Sequence, residues 1–276
     1  IPIGILFGNM AGGWINEFFG WRNAFLLVGI PGVLLAIVFK RTVKEPARGH
    51  SEGKQYVAQP TVPFSTVVKT MWSFRSFRHL ALGAGTQAFV GYGSIAWMPA
   101  FLERVHGLSS GQVGTALGLI IGIFGAAGTL LGGKWADRLG ARDQRWYMWL
   151  PALAGFICLP FMTAVYLVSN PYTALLLGVV PGILFNVYLG NTIATTHALV
   201  GLRMRALSSA ILFLVINTIG LGLGPWTIGM LSDYLEPSLG VESLRYAMLY
   251  VLPAIMCWSA CHFYLAARTL PADLAA

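Results

Sequence analysis

Among the side chains able to do chemistry, Asp137 has the most telling setting. It lies in GGKWADRLGARDQR at 132–145, followed by Arg138, Arg142 and Arg145. A carboxylate there can dock on the partly positive N-terminus of another helix, especially one with basic residues beside it. Arg203 and Arg205 precede an apolar run beginning near 206, so Asp137 is expected to latch that helix start. A solvated loop charge is the plainer alternative. Metal chemistry has one weak candidate, Cys257-x-x-x-Cys261-His262. These residues and Cys158 all fall inside apolar runs, so packing is the expected role, with no metal and no disulfide. His197 and His262 have no obvious nucleophile beside them, and HExxH does not occur. None of the ten acids lies near the middle of an apolar run. That argues against an enzyme, and no cofactor is expected.

A second set of residues speaks for binding. Gln87, Gly91 and Ser94 share one helical face, with Trp97 close to it. Asn186, Gly190 and His197 form another face, and Tyr188, Asn191, Thr192 and Thr195 a third. Asn217 shares its face with Gly224. Polar side chains at membrane depth turn toward protein or water rather than lipid. Gln87, Ser94, Trp97, Asn186, Tyr188, Asn191 and Asn217 are therefore candidate substrate-cavity residues. The alternative is interhelical hydrogen bonding, typically worth about 0.6 kcal/mol. His197 lies near a helix end and reads as structural. The set offers amides, hydroxyls and rings without a mid-membrane Lys or Arg, which suits an amphipathic or lipid-like solute better than a sugar phosphate. Gly222, Gly224 and Pro225 soften one helix, since Pro removes a backbone donor. The bend is expected to be either a gating hinge or a static kink.

The elements that must position these residues are membrane helices. Apolar residues make up 56% of the 276, charged ones only 10%, against roughly 25% charged in soluble domains. Apolar runs near 20 residues suit helices crossing about 30 Å of hydrocarbon, and the period-two alternation of barrel strands is missing. Spans are read near 22–40, 80–103, 111–133, 146–168, 172–199, 206–232 and 244–267, with a weaker one at 1–18. With the segment after Phe39 inside, fifteen of the eighteen Lys and Arg fall on the cytoplasmic side. Only Arg22, Arg104 and Arg245 fall outside. This obeys the positive-inside rule, so the net charge of +8 is a topology signal and no nucleic-acid partner is expected. Gly114, Gly118, Gly122, Gly125, Gly128 and Gly132 offer a small-residue packing stripe. Residues 41–63 read as a linker, and Phe64, Val67, Val68, Met71 and Trp72 repeat with helical spacing. They form either an amphipathic helix on the inner membrane surface or a packed loop helix.

Gly133, Asp137, Arg138, Gly140 and Arg142 match G-x-x-x-D-R-x-G-x-R, which resembles the signature cytoplasmic loop of the major facilitator superfamily (MFS). GGWINEFFGWRNAFLLVGIPG at 12–32 and KEPARG at 44–49 resemble helices five and six of MFS transporters and the start of their central loop. NTIGLGLGPWTIGMLSD at 217–233 resembles helix eleven of the spinster-like branch. The resemblance implies an all-α membrane protein with the MFS fold. Residues 1–41 would be the last two helices of the N-terminal bundle, 42–78 a cytoplasmic linker with an amphipathic helix, 79–270 a complete C-terminal six-helix bundle, and 271–276 a cytoplasmic tail. It also implies that helices seven, eight, ten and eleven line a cavity, and that the signature Asp helps hold an outward-facing state. The chain opens on Ile-Pro-Ile and is expected to be the later part of a longer protein, which would place a proton-coupling acid outside residues 1–276. The function expected is secondary active transport of an organic, amphipathic or lipid-like solute by alternating access, coupled to protons. The alternatives are a transporter-derived sensor or an organic-anion carrier. The expected setting is a bacterial inner membrane, with the full-length protein a monomer whose partners are its solute and membrane lipids.

Overall fold

The computed structural model describes residues 2–44 and 62–275, and among these it is built of helices without strands. The helices are α1 (Pro2–Phe19), α2 (Trp21–Thr42), α3 (Phe64–Ser73), α4 (Arg75–Arg104), α5 (Ser110–Leu117), α6 (Gly125–Gly140), α7 (Trp146–Leu167), α8 (Pro171–Leu184), α9 (Tyr188–Ala198), α10 (Arg205–Asn217), α11 (Gly224–Leu239) and α12 (Ser243–Leu274). A π-helical segment, Gly118–Phe124, joins α5 to α6, and another, Thr218–Leu223, joins α10 to α11. A 3₁₀ turn, Phe185–Val187, joins α8 to α9. The long rods fall on the eight apolar runs read from the sequence. Five helical stretches are long and apolar enough to cross a membrane by length and composition, one of them the run Leu202–Leu274, which holds α10, α11 and α12.

Local chemistry sets the ends. Ser109 and Gln112 form a reciprocal capping box at the start of α5, satisfying two otherwise orphaned backbone N–H groups. Asn170 caps α8 through the backbone N–H groups of Tyr172 and Thr173, with Pro171 in the first turn, where it lacks nothing the helix needs. Gly20 (φ 79°) and Gly240 (φ 55°) make the sharp turns before α2 and after α11, a left-handed conformation that glycine adopts without a Cβ clash. The wide turns of Thr218–Leu223 end just before Pro225, whose missing N–H already leaves the Leu221 carbonyl without its α-helical donor.

The core has two parts. At the arginine-rich end, Phe77, Leu80, Met148, Leu212, Phe263, Ala266 and Leu270 are buried together. At the opposite end lie Phe101, Leu102, Cys158, Tyr166, Leu244, Met248, Leu252 and Met256. The helices α4 and α12 run through both and pack along their length. Helix α3 inserts Val67 and Met71 into the first cluster and leaves Phe64 and Trp72 of the same stripe exposed. Helix α2 packs on α1 and buries none of its side chains. The outward Leu130, Leu176, Leu214 and Trp226 belong to an apolar surface far larger than a water-facing monomer tolerates. Within the linker, Pro46, Arg48, Gly49, Gly53, Lys54 and Pro60 lie outside the described residues.

Candidate functional site

The polar residues marked out by sequence divide once placed. Gln87 is buried, and its Oε1 accepts a hydrogen bond from the Ser259 hydroxyl at 3.1 Å. That hydroxyl also lies 2.8 Å from the Gly83 carbonyl, so Gln87 joins α4 to α12 and does not present its amide to an open cavity. Tyr188 is likewise buried, its ring packed edge-on to Phe185 and tilted against Phe263. Asn191 is buried and donates to the Val187 carbonyl one turn back. Asn186 and Asn217 also donate one turn back, to Gly182 and Phe213. A helical amide that finds its own carbonyl is locally satisfied. Only Asn217 is exposed, while Asn186 and Ser94 are half-buried.

Trp97 and the hinge residues come together. The Trp97 indole Nε1 donates to the Pro225 carbonyl at 2.8 Å, tying α4 to the first turn of α11. Beside it, a Cβ on Gly224 would stand 2.7 Å from the Phe89 carbonyl oxygen, and one on Gly229 2.9 Å from the Trp97 ring. The glycines here let two backbones touch, and Gly222 is exposed on the other side. The segment around Pro225 is therefore held against α4.

In the signature loop, the Tyr147 hydroxyl donates to Asp137 Oδ1 at 3.2 Å. Asp137 makes no ion pair with Arg203 or Arg205, and the shown pairs are Arg145–Asp143 (3.7 Å) and Arg245–Glu242 (2.8 Å). Gly140 lies against the Tyr147 ring, where a side chain would collide. Gly133 has open space around it, and Arg138 and Arg142 are exposed. The glycine stripe is split between two partners. Gly114 and Gly118 face the α1 backbone at Asn9 and Leu6, while Gly125, Gly128 and Gly132 face Asn186, Ile183 and Val187.

One polar cluster escaped the sequence reading. Near the end of α1, Glu17 Oε2 accepts hydrogen bonds from the Ser109 hydroxyl and the Gly111 backbone N–H, both at 2.7 Å. A carboxylate at a helix start meets orphan donors and the positive end of the helix dipole. Asn16 Nδ2 donates to Ser110 Oγ at 3.2 Å and Trp14 Nε1 to Thr115 Oγ1 at 2.9 Å. The two helices run antiparallel at backbone contact, with the Gly13 and Gly114 Cα atoms in register. The available signals were the Ser-Ser-Gly-Gln capping box and the small residues 111, 114 and 118. Nothing in either segment alone identifies the other as its partner.

Among known proteins, a family model described as Major Facilitator Superfamily matches residues 1–225. The chain is 32% identical over 277 residues to an "MFS-type efflux pump" of Mycolicibacterium smegmatis, covering 99% of this chain and 62% of that protein. It is 25% identical over 164 residues to a probable galactarate/D-glucarate transporter of Bacillus subtilis, covering 52% of this chain and 36% of that one. The chain thus spans less than two thirds of the length of these curated relatives. The crystal structure of a bacterial homolog to the human lysosomal transporter Spinster, inward-facing and unoccupied, superposes with a TM-score of 0.74 at 26% identity, over 99% of this chain and 68% of that one. A polytopic helical architecture, a signature loop at the arginine-rich end and these likenesses agree: the chain is a multi-pass integral membrane protein that belongs to the Major Facilitator Superfamily, in its spinster-like branch.

Proposed function

We propose that the protein is a secondary active transporter that moves an organic, amphipathic or lipid-like solute by alternating access, coupled to protons. The observation that carries this reading is the seam between α1 and α5. Its polar groups cluster at the end remote from the arginines, and its glycines bring backbone against backbone while no described side chain of α1 is buried. Such a seam can part and re-form as rigid units rock about a midplane site. In this reading α1 and α2 close an N-terminal bundle, residues 79–270 are the C-terminal bundle, 42–78 the cytoplasmic linker and 271–276 the tail. The closed α1–α5 end then corresponds to an inward-facing state, the state named for the Spinster homolog. Asp137, bonded only to the adjoining Tyr147, remains free to dock on the start of α10 near Arg205 in the outward-facing state.

The solute class rests on the residues that stay accessible. Asn217, Ser94 and Asn186 supply neutral polar groups beside apolar surface. A dianionic sugar acid, as named for the B. subtilis relative, calls for buried cations that these positions do not offer. The setting we infer is a bacterial inner membrane, with the transporter acting as a monomer. Proteoliposomes with a pH-sensitive dye inside test the proposal against lysolipids, sphingoid bases and small organic anions. Solute-dependent proton movement that falls several-fold in Asp137→Asn is expected. Tight binding of one compound without proton movement or tracer flux would make the protein a sensor instead.

A further inference from the structure

A shallow groove of about 210 Å³ opens between α7 and α12 at the arginine-rich end, lined by Trp146, Trp149, Ala152, Leu153, Phe156 and Tyr264. None of the cavity candidates lines it. Its floor is the small, buried Ala152, and the half-exposed Leu153 and Phe156 stand above that floor. Trp146 and Trp149 meet edge-on with centroids 5.4 Å apart and make one wall, with Tyr264 of α12 opposite. From Trp146 to Phe156 the helix rises about 15 Å, half of an approximately 30 Å hydrocarbon core. The groove is therefore one leaflet deep.

Its mouth is cationic. The Arg145 guanidinium lies 5.8 Å from the Trp149 ring centre and that of Arg268 5.7 Å from the Tyr264 ring centre. The two arginines are thus held by aromatic residues on opposite walls of the same groove. Both are exposed. Asp143 engages Arg145 at a loose 3.7 Å with both side chains in solvent, and the described residues show no ion pair for Arg268. An exposed pair of that length holds its partners weakly. Ordinary interfacial aromatic belts carry rings at this depth, but they do not by themselves supply a concave floor or two arginines poised across it.

We propose that this groove is a binding site for an anionic phospholipid of the cytoplasmic leaflet, with its phosphate between Arg145 and Arg268 and one acyl chain along Trp149, Leu153 and Phe156. Planar guanidinium groups recognise phosphate oxygens through paired N–H donors, and basic pockets between helices on this side suit anionic headgroups. The bound lipid would fill the space over Ala152 and join α7 to α12.

Native mass spectrometry of the purified protein tests this after incubation with equimolar phosphatidylglycerol and phosphatidylcholine. Retention of phosphatidylglycerol over phosphatidylcholine by about tenfold is expected. The double variant Arg145→Gln/Arg268→Gln should erase the preference. Arg203→Gln, an exposed arginine near α10, should leave it intact. The replaced arginines are exposed, so the core is untouched and gel filtration should show an unaltered particle. Equal retention of the two lipids by the unmodified protein, or a preference that survives the double variant, overturns the proposal. Displacement of phosphatidylglycerol by millimolar inorganic phosphate also overturns it, because the site would then read the anion and not the lipid.

Discussion

Two helix seams in this molecule are built in opposite ways. The α4–α12 seam is deep: fifteen residues of α4 and twelve of α12 are buried, Phe263 presses on Gly83, and Ser259 bonds both Gly83 and Gln87. The α1–α5 seam buries no described side chain of α1 and relies on glycine contact plus hydrogen bonds gathered near one end. A seam of interlocked apolar side chains has one good arrangement, because dense cores deform little. A seam of bare backbone and exposed polar groups costs little to open, since water or headgroups can replace its hydrogen bonds. The difference divides the molecule into parts that hold and a part that can let go.

The comparison breaks most readily at Gly114. Gly114→Leu would drive a side chain into the Asn9 carbonyl, a backbone atom that cannot rotate away. Overpacking of this kind costs about 1–3 kcal/mol. A disulfide between Asn16→Cys and Ser110→Cys should then form at least about tenfold less readily, 1.4 kcal/mol being a factor of ten. Unaltered crosslinking would mean that α1 does not rest on α5 as described. The deep seam has its own test in Phe263→Ala, which empties the space against Gly83 and Tyr188. Cavity formation at a buried Phe costs about 3 kcal/mol or more, and the loss should appear as a lower Tm in detergent while the α1–α5 crosslink survives.

Glu17→Gln tests the clamp more gently. It removes the charge that both Ser109 and Gly111 address while keeping one carbonyl acceptor. Because Glu17 is exposed, the expected loss is about 1 kcal/mol, read as a several-fold fall in the same crosslink with Tm unmoved. A Tm drop equal to that of Phe263→Ala would place the clamp among the permanent seams.

The smallest effect concerns pH at the loop after α4. Burial, with Arg245 next in importance, holds the His106 imidazole below its ordinary value, while Glu242 acts in the opposite direction. The folded state thus favours neutral His106, and the unfolded chain binds the proton more readily. Stability should be full above the unfolded value near 6.5 and decline as pH falls below it toward the folded pKa. His106→Gln should flatten the Tm profile between pH 7 and 5. An unchanged profile would remove His106 as its cause.

The sequence displayed its helices because lipid leaves the backbone little choice: an apolar run of span length must bond to itself. That is why the runs at 146–168 and 172–199 emerge as Trp146–Leu167 and Pro171–Ala198. The sharing of one helical face by Gln87, Gly91 and Ser94 was also legible, since it follows from spacing alone. What faced Gln87 was not. Its amide could serve a solute or a neighbour, and the hydroxyl of Ser259, 172 positions away, decides for the neighbour. Asp137 shows the same limit, since a charge at a helix end has several nearby partners and here its bond goes to Tyr147, ten positions on.

Composition, span length and the placement of eighteen basic residues determined the class of molecule, its helices and the expected orientation. These follow from the solvent, and each residue contributes independently of which helix lies beside it. Tertiary structure alone decided that Glu17 reaches Gly111, that Trp97 grips Pro225, and that Arg145 and Arg268 flank one groove. Contacts between separate helices depend on rotation and crossing, and in lipid, where apolar burial no longer separates inside from outside, small residues and a few hydrogen bonds choose them.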